Sequence, residues 1–150
     1  MELAMSDDKI RSGTLQLNDD EFVRAFENCE LAGSLFHHAD HVRLTWIYVC
    51  RFGEMAATER VLAGISRFAT HNGSPQKFHY TQTCGWVRLI AAAQRESLCV
   101  RTFEEFIEAH SQLLDADALA RYYSKSTLDS PAARAGWVEP DINHLPSVAK

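Results

Sequence analysis

The segment from Phe36 to Cys50, FHHADHVRLTWIYVC, constrains the fold more than any other part of the chain. Its apolar residues lie on almost every side of a helix rather than along one stripe, which is typical of a helix surrounded by protein. Its β-branched residues would also suit a strand, but the length of the run and the glycine after it favour a helix from about His38 to Phe52. We therefore expect a central helix, against which the other helices pack.

The rest of the chain also has the apolar spacing of helices, with short breaks between them. The main segments lie at about residues 18–33, 55–71, 78–94 and 102–114. Smaller helices are expected near residues 116–123 and after Ser130, and the ending GWVEPDINHLPSVAK should pack irregularly on the body. The sequence thus predicts an all-α, single-domain bundle of four to five main helices with an irregular C-terminal tail at residues 18–150, preceded by an irregular arm at residues 1–17.

Composition and charge limit the classes of partner. With 46% hydrophobic and 23% charged residues, the chain has enough apolar material for one core. A net charge of −5 without a basic run argues against a nucleic-acid surface. The sequence has no run of about 18 apolar residues and no hydrophobic leader, so we expect no membrane span. Four cysteines without a CxxC pair are typical of a reduced, cytoplasmic protein. Nothing in the sequence indicates the oligomeric state.

Three histidines form the strongest functional signal. His38 and His41 are three residues apart, so on a helix their rings lie at neighbouring points of one face. His79, near the start of a later helix, is the best third candidate, and Thr83 lies one turn beyond it. Imidazoles in a core need partners, because unpaired buried polar groups cost free energy. A metal ion is one such partner: neutral imidazole binds zinc, iron or copper, and a catalytic zinc commonly has three protein ligands.

We therefore predict one divalent transition metal (zinc, iron or copper) held by His38, His41 and His79. Such a site would suit a small hydrolase or oxygenase acting on a small-molecule substrate, with Tyr80 and Thr83 as catalytic candidates. Two alternatives remain open. In a metal-free enzyme or binding protein, one histidine acts as general base while Tyr80 or Thr83 positions the ligand. In a non-catalytic partner protein, the histidines and threonines form a buried polar network.

Two further features of the sequence bear on the site. The tail carries apolar residues around Trp137, and we expect these to cover the histidine site. The sequence contains no HExxH, GxSxG or P-loop motif and no GxGxxG after a strand, which argues against the zinc peptidases, the α/β-hydrolases and the common nucleotide-binding folds.

Three segments of the chain follow one another as a series: FHHADHV at 36–42, FHYTQT at 78–83, and an ending that runs from Tyr123-Ser124 to Leu145. This series resembles a family of small bacterial helical proteins of uncharacterised activity. Their pattern is an aromatic residue with HxxHL or HxDHV, then G-(Y/F)-HET-x-T, then YS…L…S…AR…PD…L. The resemblance implies that five residues belong together: His38, His41, His79, Thr81 and Thr83. This chain has Tyr80 where the family has Glu, which argues against a carboxylate-dependent mechanism.

Overall fold

The computed structural model describes residues 17–147, and these residues confirm the predicted all-α fold. The α-helices of this range are α1 (Asp19–Glu27), α2 (His38–Phe52), α3 (Glu54–His71), α4 (Tyr80–Glu96), α5 (Phe103–Ala109), α6 (Lys125–Leu128) and α7 (Pro131–Ala135). Short 3₁₀ turns lie at Gly33–Leu35, Pro75–Lys77, Ser111–Leu114 and Ala118–Arg121. Apart from its last position, the predicted arm at residues 1–17 lies outside the described residues.

Capping side chains define where the helices begin. The Asn18 side chain accepts a hydrogen bond from the backbone N–H of Glu21 at 2.8 Å, and the Glu21 carboxylate accepts one from the N–H of Asn18 at 3.0 Å. This reciprocal pair is a capping box, which satisfies two backbone donors at the start of α1. At the junction of α2 and α3, Gly53 has φ 82°, a left-handed conformation that favours glycine. The predicted end of α2 at this glycine is therefore confirmed.

The central position of α2 is also confirmed. It packs against both α3 and α4, which in turn contact each other. Its buried apolar residues lie on several sides of the helix: Val42, Leu44, Trp46, Ile47 and Tyr48. Each large side chain removed from water in this way contributes about 1.5–3 kcal/mol to folding. α2, α3 and α4 therefore form the body on which the shorter helices pack.

The C-terminal tail packs on this body through hydrogen bonds as well as apolar contacts. The Thr81 hydroxyl on α4 donates to the backbone oxygen of Gly136 at 2.6 Å and accepts from the N–H of Val138 at 3.0 Å. The Tyr123 hydroxyl donates to the backbone oxygen of Val138 at 2.7 Å. Leu145, near the end of the described range, is buried in the core. The tail is thus irregular but packed, as the sequence predicts.

No helix within residues 17–147 combines the length and the apolar character that a membrane crossing requires. All four cysteines fall in this range and carry free thiols: Cys29, Cys50, Cys84 and Cys99. A reduced, cytoplasmic setting stays a prediction from the sequence.

Candidate functional site

A cavity of about 310 Å³ lies between α2, α3 and α4. His38, His41 and Thr45 line it from α2, and their spacing of three and four residues places them on one face of that helix. The facing helices and the turn before α4 supply most of the remaining lining: Val61, Ile65, Lys77, His79, Gln82, Thr83, Trp86 and Ile90. The three histidines singled out in the sequence, and Thr83 with them, therefore border one interior space.

His38, at the first turn of α2, is half-buried and partly engaged. Its Nε2 lies 2.9 Å from the backbone oxygen of Leu113. Since a carbonyl oxygen can only accept, Nε2 carries the proton, and Nδ1 of the neutral ring holds the lone pair. The ring also meets the indole of Trp86 edge-on, with 4.6 Å between centroids. Nδ1 makes no hydrogen bond to any residue in the described range.

His41 lines the cavity without a hydrogen bond to any described residue. Its ring packs against Phe36 with 4.5 Å between centroids, and neither ring nitrogen hydrogen-bonds to a residue within 17–147. Burial, the largest cause, and the neighbouring His38 lower the pKa of His41 to about 4, and Asp40 opposes both. At neutral pH the ring is therefore uncharged, with one N–H to donate and one lone pair to accept.

His79 borders the same cavity but has both ring nitrogens occupied. Nδ1 accepts a hydrogen bond from the backbone N–H of Gln82 at 3.0 Å, which caps α4. Nε2 consequently carries the proton and donates to the backbone oxygen of Leu128 at 2.6 Å. The ring thus joins the start of α4 to the end of α6, and it contributes a face rather than a free lone pair to the cavity.

The threonines and Tyr80 divide between the cavity and the tail. Thr83 lines the cavity while its hydroxyl donates to the backbone oxygen of His79 at 2.7 Å, within its own helix. Thr81, which the family resemblance groups with the histidines, is fully buried but bonds the tail instead. Tyr80 is not among the residues that line the cavity. Of the two catalytic candidates, the structure therefore brings only Thr83 to the histidines.

Thr45 also lines the cavity, although the sequence pattern does not mark it as a candidate site residue. Its side chain is 3% exposed and lines the cavity one turn beyond His41. Its hydroxyl has no hydrogen-bond partner among the residues that the structure describes. Every fully enclosed side-chain nitrogen or oxygen in this range has a partner, so the hydroxyl of Thr45 is open to the cavity. The signal available in the sequence is its position four residues after His41, on the same helix face.

A second cavity of about 420 Å³ adjoins the first. Phe36, His41, Ile65 and Lys77 line both, so the two spaces share a wall. The Phe36 ring is held within 6.3 Å of three other aromatic rings: Phe22, Phe26 and Phe68. Phe36 therefore connects the shared wall to an aromatic cluster, and the His41 ring packs against it. Trp137, expected over the site, instead packs against Tyr123 and Arg88 and lines neither cavity.

The donor atoms bear directly on the predicted metal. In the part of the chain from 17 to 147, no group of three or more histidine, cysteine, aspartate or glutamate side chains is arranged to hold a metal ion. His38 and His41 have lone pairs that no described residue uses, but His79 would have to give up one of its hydrogen bonds to become a ligand. The metal centre stays a prediction.

No protein-family model matches the chain, and neither a curated protein nor a solved structure matches it. The family resemblance seen from Phe36 onward therefore stays a prediction. A function for this chain has to be inferred from its own residues, chiefly from His41 and the cavity that it lines.

Proposed function

We propose that this protein binds a small organic molecule in the cavity between α2, α3 and α4, with the neutral ring of His41 as a hydrogen-bond partner. The observation that carries the proposal is the state of His41: its ring lies against Phe36 inside the bundle, yet no residue within 17–147 hydrogen-bonds to it. The ring nitrogens are open to the cavity, because every fully enclosed side-chain nitrogen or oxygen in this range has a partner. A ligand in the cavity can therefore hydrogen-bond to the ring, and one such bond contributes about 0.5–1.5 kcal/mol net.

The lining indicates what kind of molecule fits. Its apolar part is formed by aromatic and branched side chains, among them Phe36, Ile65 and Trp86. Its polar part includes His41 and Thr45. Pockets that bind small molecules have this mixture, mostly apolar with a few placed polar groups, and volumes from about 300 Å³ upward. A ligand with an apolar body about the size of one ring and at least one hydrogen-bonding group suits the cavity.

The pKa of His41 favours binding over base catalysis. A general base works best when its pKa lies near the working pH. With a pKa of about 4, the ring is too weak a base to remove a proton efficiently at neutral pH. The same low pKa keeps the ring uncharged, so it can sit against an apolar ligand without the cost of burying a charge.

A divalent metal is the second candidate function, and a specific observation favours it. His38 and His41 lie one turn apart on α2, and both have lone pairs without a partner among the described residues. Two imidazoles rarely complete a site, so the metal would need a donor from a bound molecule or from a rearranged His79. This arrangement is compatible with a hydrolase or oxygenase but supplies no catalytic base.

The binding proposal is tested with phenylacetamide, a neutral probe that has one ring and one hydrogen-bonding group. Titration of the wild-type protein should show saturable binding, with NMR shifts at the His41 ring and the Ile65 methyl groups. Thr45→Val keeps the shape and removes the hydroxyl, so it should weaken binding about threefold to tenfold, the range expected for one neutral hydrogen bond. His41→Leu should weaken binding at least as much.

Thr58→Val is the matched control, because the Thr58 hydroxyl donates to the backbone oxygen of Glu54 within α3 and is not among the cavity-lining residues. This variant should bind phenylacetamide as the wild type does. If the wild type shows no saturable binding up to the solubility limit of the probe, or if Thr45→Val and His41→Leu bind as well as Thr58→Val, the proposal is wrong.

A further inference from the structure

The described lining of the two adjoining cavities contains one positively charged side chain and no negatively charged one. Among the described residues that line them, Lys77 is the one with a formal charge when the histidines are neutral, and none is aspartate or glutamate. The chain as a whole carries a net charge of −5, so a lining without acidic residues differs from the average of the chain. Lys77 forms no ion pair with any residue in the range 17–147.

Lys77 also lies where the cavities meet the surface. It ends the short 3₁₀ turn Pro75–Lys77 before α4, and it is exposed, whereas Thr45 and Ile90 at the inner side of the first cavity are buried. The guanidinium of Arg134 donates to the backbone oxygen of Gln76 at 3.2 Å, which brings a second cation to the same turn. Lys77 therefore places a positive charge at an exposed edge of the two cavities, whose remaining lining is uncharged when the histidines are neutral.

We propose that the ligand is a small monocarboxylate with an apolar body, and this inference rests on the proposed function. The carboxylate lies beside the ammonium group of Lys77 at the mouth, where it keeps part of its hydration and avoids the cost of full burial. The apolar body lies between Phe36, Ile65 and Trp86. His41 or Thr45 then pairs with a hydrogen-bonding group elsewhere on the ligand.

The lining also argues for one negative charge rather than several. Phosphate sites commonly combine several positive or N–H donors, such as the forked guanidinium of arginine, lysine and a series of backbone N–H groups. No arginine is among the described residues that line either cavity, and Lys77 offers a single point charge. A monoanion matches this charge, and an amine would be repelled by it.

Three probes of nearly equal size share a phenol hydroxyl for His41 or Thr45 and differ in the group that faces Lys77: 4-hydroxyphenylacetate, 4-hydroxyphenylacetamide and tyramine. At pH 7 they are anionic, neutral and cationic. The hydroxyphenylacetate should bind the wild-type protein about threefold to fivefold more tightly than the hydroxyphenylacetamide, the advantage expected from one exposed ion pair. Tyramine should bind more weakly than either. The advantage of the hydroxyphenylacetate should shrink as salt is added, because the ion pair is screened.

Lys77→Gln should remove the preference for 4-hydroxyphenylacetate and leave the affinity for 4-hydroxyphenylacetamide unchanged. Lys125→Gln is the matched control, because it makes the same change in net charge at an exposed lysine that lines neither cavity. The carboxylate inference is overturned if the hydroxyphenylacetamide binds as tightly as the hydroxyphenylacetate, or if the preference survives in Lys77→Gln. In both cases the cavity remains a binding site, whereas a failure of all three probes to bind overturns the proposed function itself.

Discussion

Acidification should destabilise this protein between about pH 6.5 and pH 4, with a distinct part of the loss due to His41. Burial lowers the pKa of its ring from the ordinary value of 6.5 to about 4 in the folded protein. In the unfolded chain the ring has its ordinary pKa. Between these two values the unfolded state binds one more proton than the folded state, so added protons favour unfolding. The stability that depends on a neutral His41 is complete above pH 6.5 and is lost as the pH falls toward 4.

The size of this effect follows from the width of the window. One excess proton changes the free energy of unfolding by about 1.4 kcal/mol for each pH unit. Across the whole window the contribution of His41 reaches about 3 kcal/mol. The ring is half-buried and can be reached from the cavity, and solvent there stabilises the charged form, so this value is an upper limit.

The assay is urea unfolding followed by circular dichroism, at pH 7 and at about pH 4.5, for the wild type, His41→Gln and His144→Gln. His144 is exposed and serves as the control. All other titrating groups are common to the first two proteins, so their contributions cancel in the comparison. His41→Gln should lose about 2 kcal/mol less than the other two proteins on acidification. Equal losses in all three proteins, or an NMR titration of the His41 ring with a midpoint near 6.5, would refute the reasoning.

Two further outcomes follow from the hydrogen bonds around α4 and from the histidines. Thr81→Val should cost about 2 kcal/mol by urea unfolding, because it leaves two partly buried backbone groups of the tail unpaired. Thr83→Val should cost less than about 0.5 kcal/mol, because the carbonyl of His79 keeps its helical partner. Equal costs would contradict this assignment. A chelator should leave the melting temperature of tag-free protein unchanged; a decrease that zinc restores, and that His41→Leu abolishes, would favour the metal instead.

The fold is largely predictable because its main signals are local. The apolar pattern from His38 to Phe52 and the glycine after it coincide with the bounds of α2 in the structure. Helix ends that depend on distant contacts are less predictable. The sequence predicts that the fifth helix reaches about Leu114, but α5 ends at Ala109, where the His110 ring turns to bond the hydroxyl of Ser97 at 2.6 Å. That hydroxyl lies at the end of α4, outside any local pattern.

The prediction of the first helix is also too long. The sequence favours Gly33 as its end, whereas α1 ends at Glu27 and Cys29 adopts φ 57°. A non-glycine residue in this left-handed region stops a helix as a glycine would, but its side chain gives little warning of it. The short helix α6 at Lys125–Leu128, which Ser124 caps, is likewise not predicted. Its four residues are too few to show an apolar spacing of helical period.

The membership of the candidate site is more predictable than its hydrogen bonding. Helical spacing is enough to bring His38 and His41 to one face, and the cavity contains both. The state of His79 depends on the carbonyl of Leu128, 49 residues away. A backbone carbonyl has no residue type that marks it, so a sequence pattern cannot reveal that the lone pair is used. Tyr80, the first residue of α4, follows the extended backbone of His79 and is not among the residues that line the cavity.

The position of α2 explains why the polar groups of this cavity have few partners within the described chain. A helix with apolar residues on all sides is surrounded by its neighbours, so the polar atoms of His41 and Thr45 border the cavity rather than an open helix surface. Among the side chains opposite them are Ile65 and Ile90, which offer no hydrogen bond. His79 solves the same problem within the chain, through the N–H of Gln82 and the carbonyl of Leu128. Under the proposed function, this contrast separates the structural role of His79, whose ring is satisfied by backbone, from the binding role of His41, whose ring is open to the cavity.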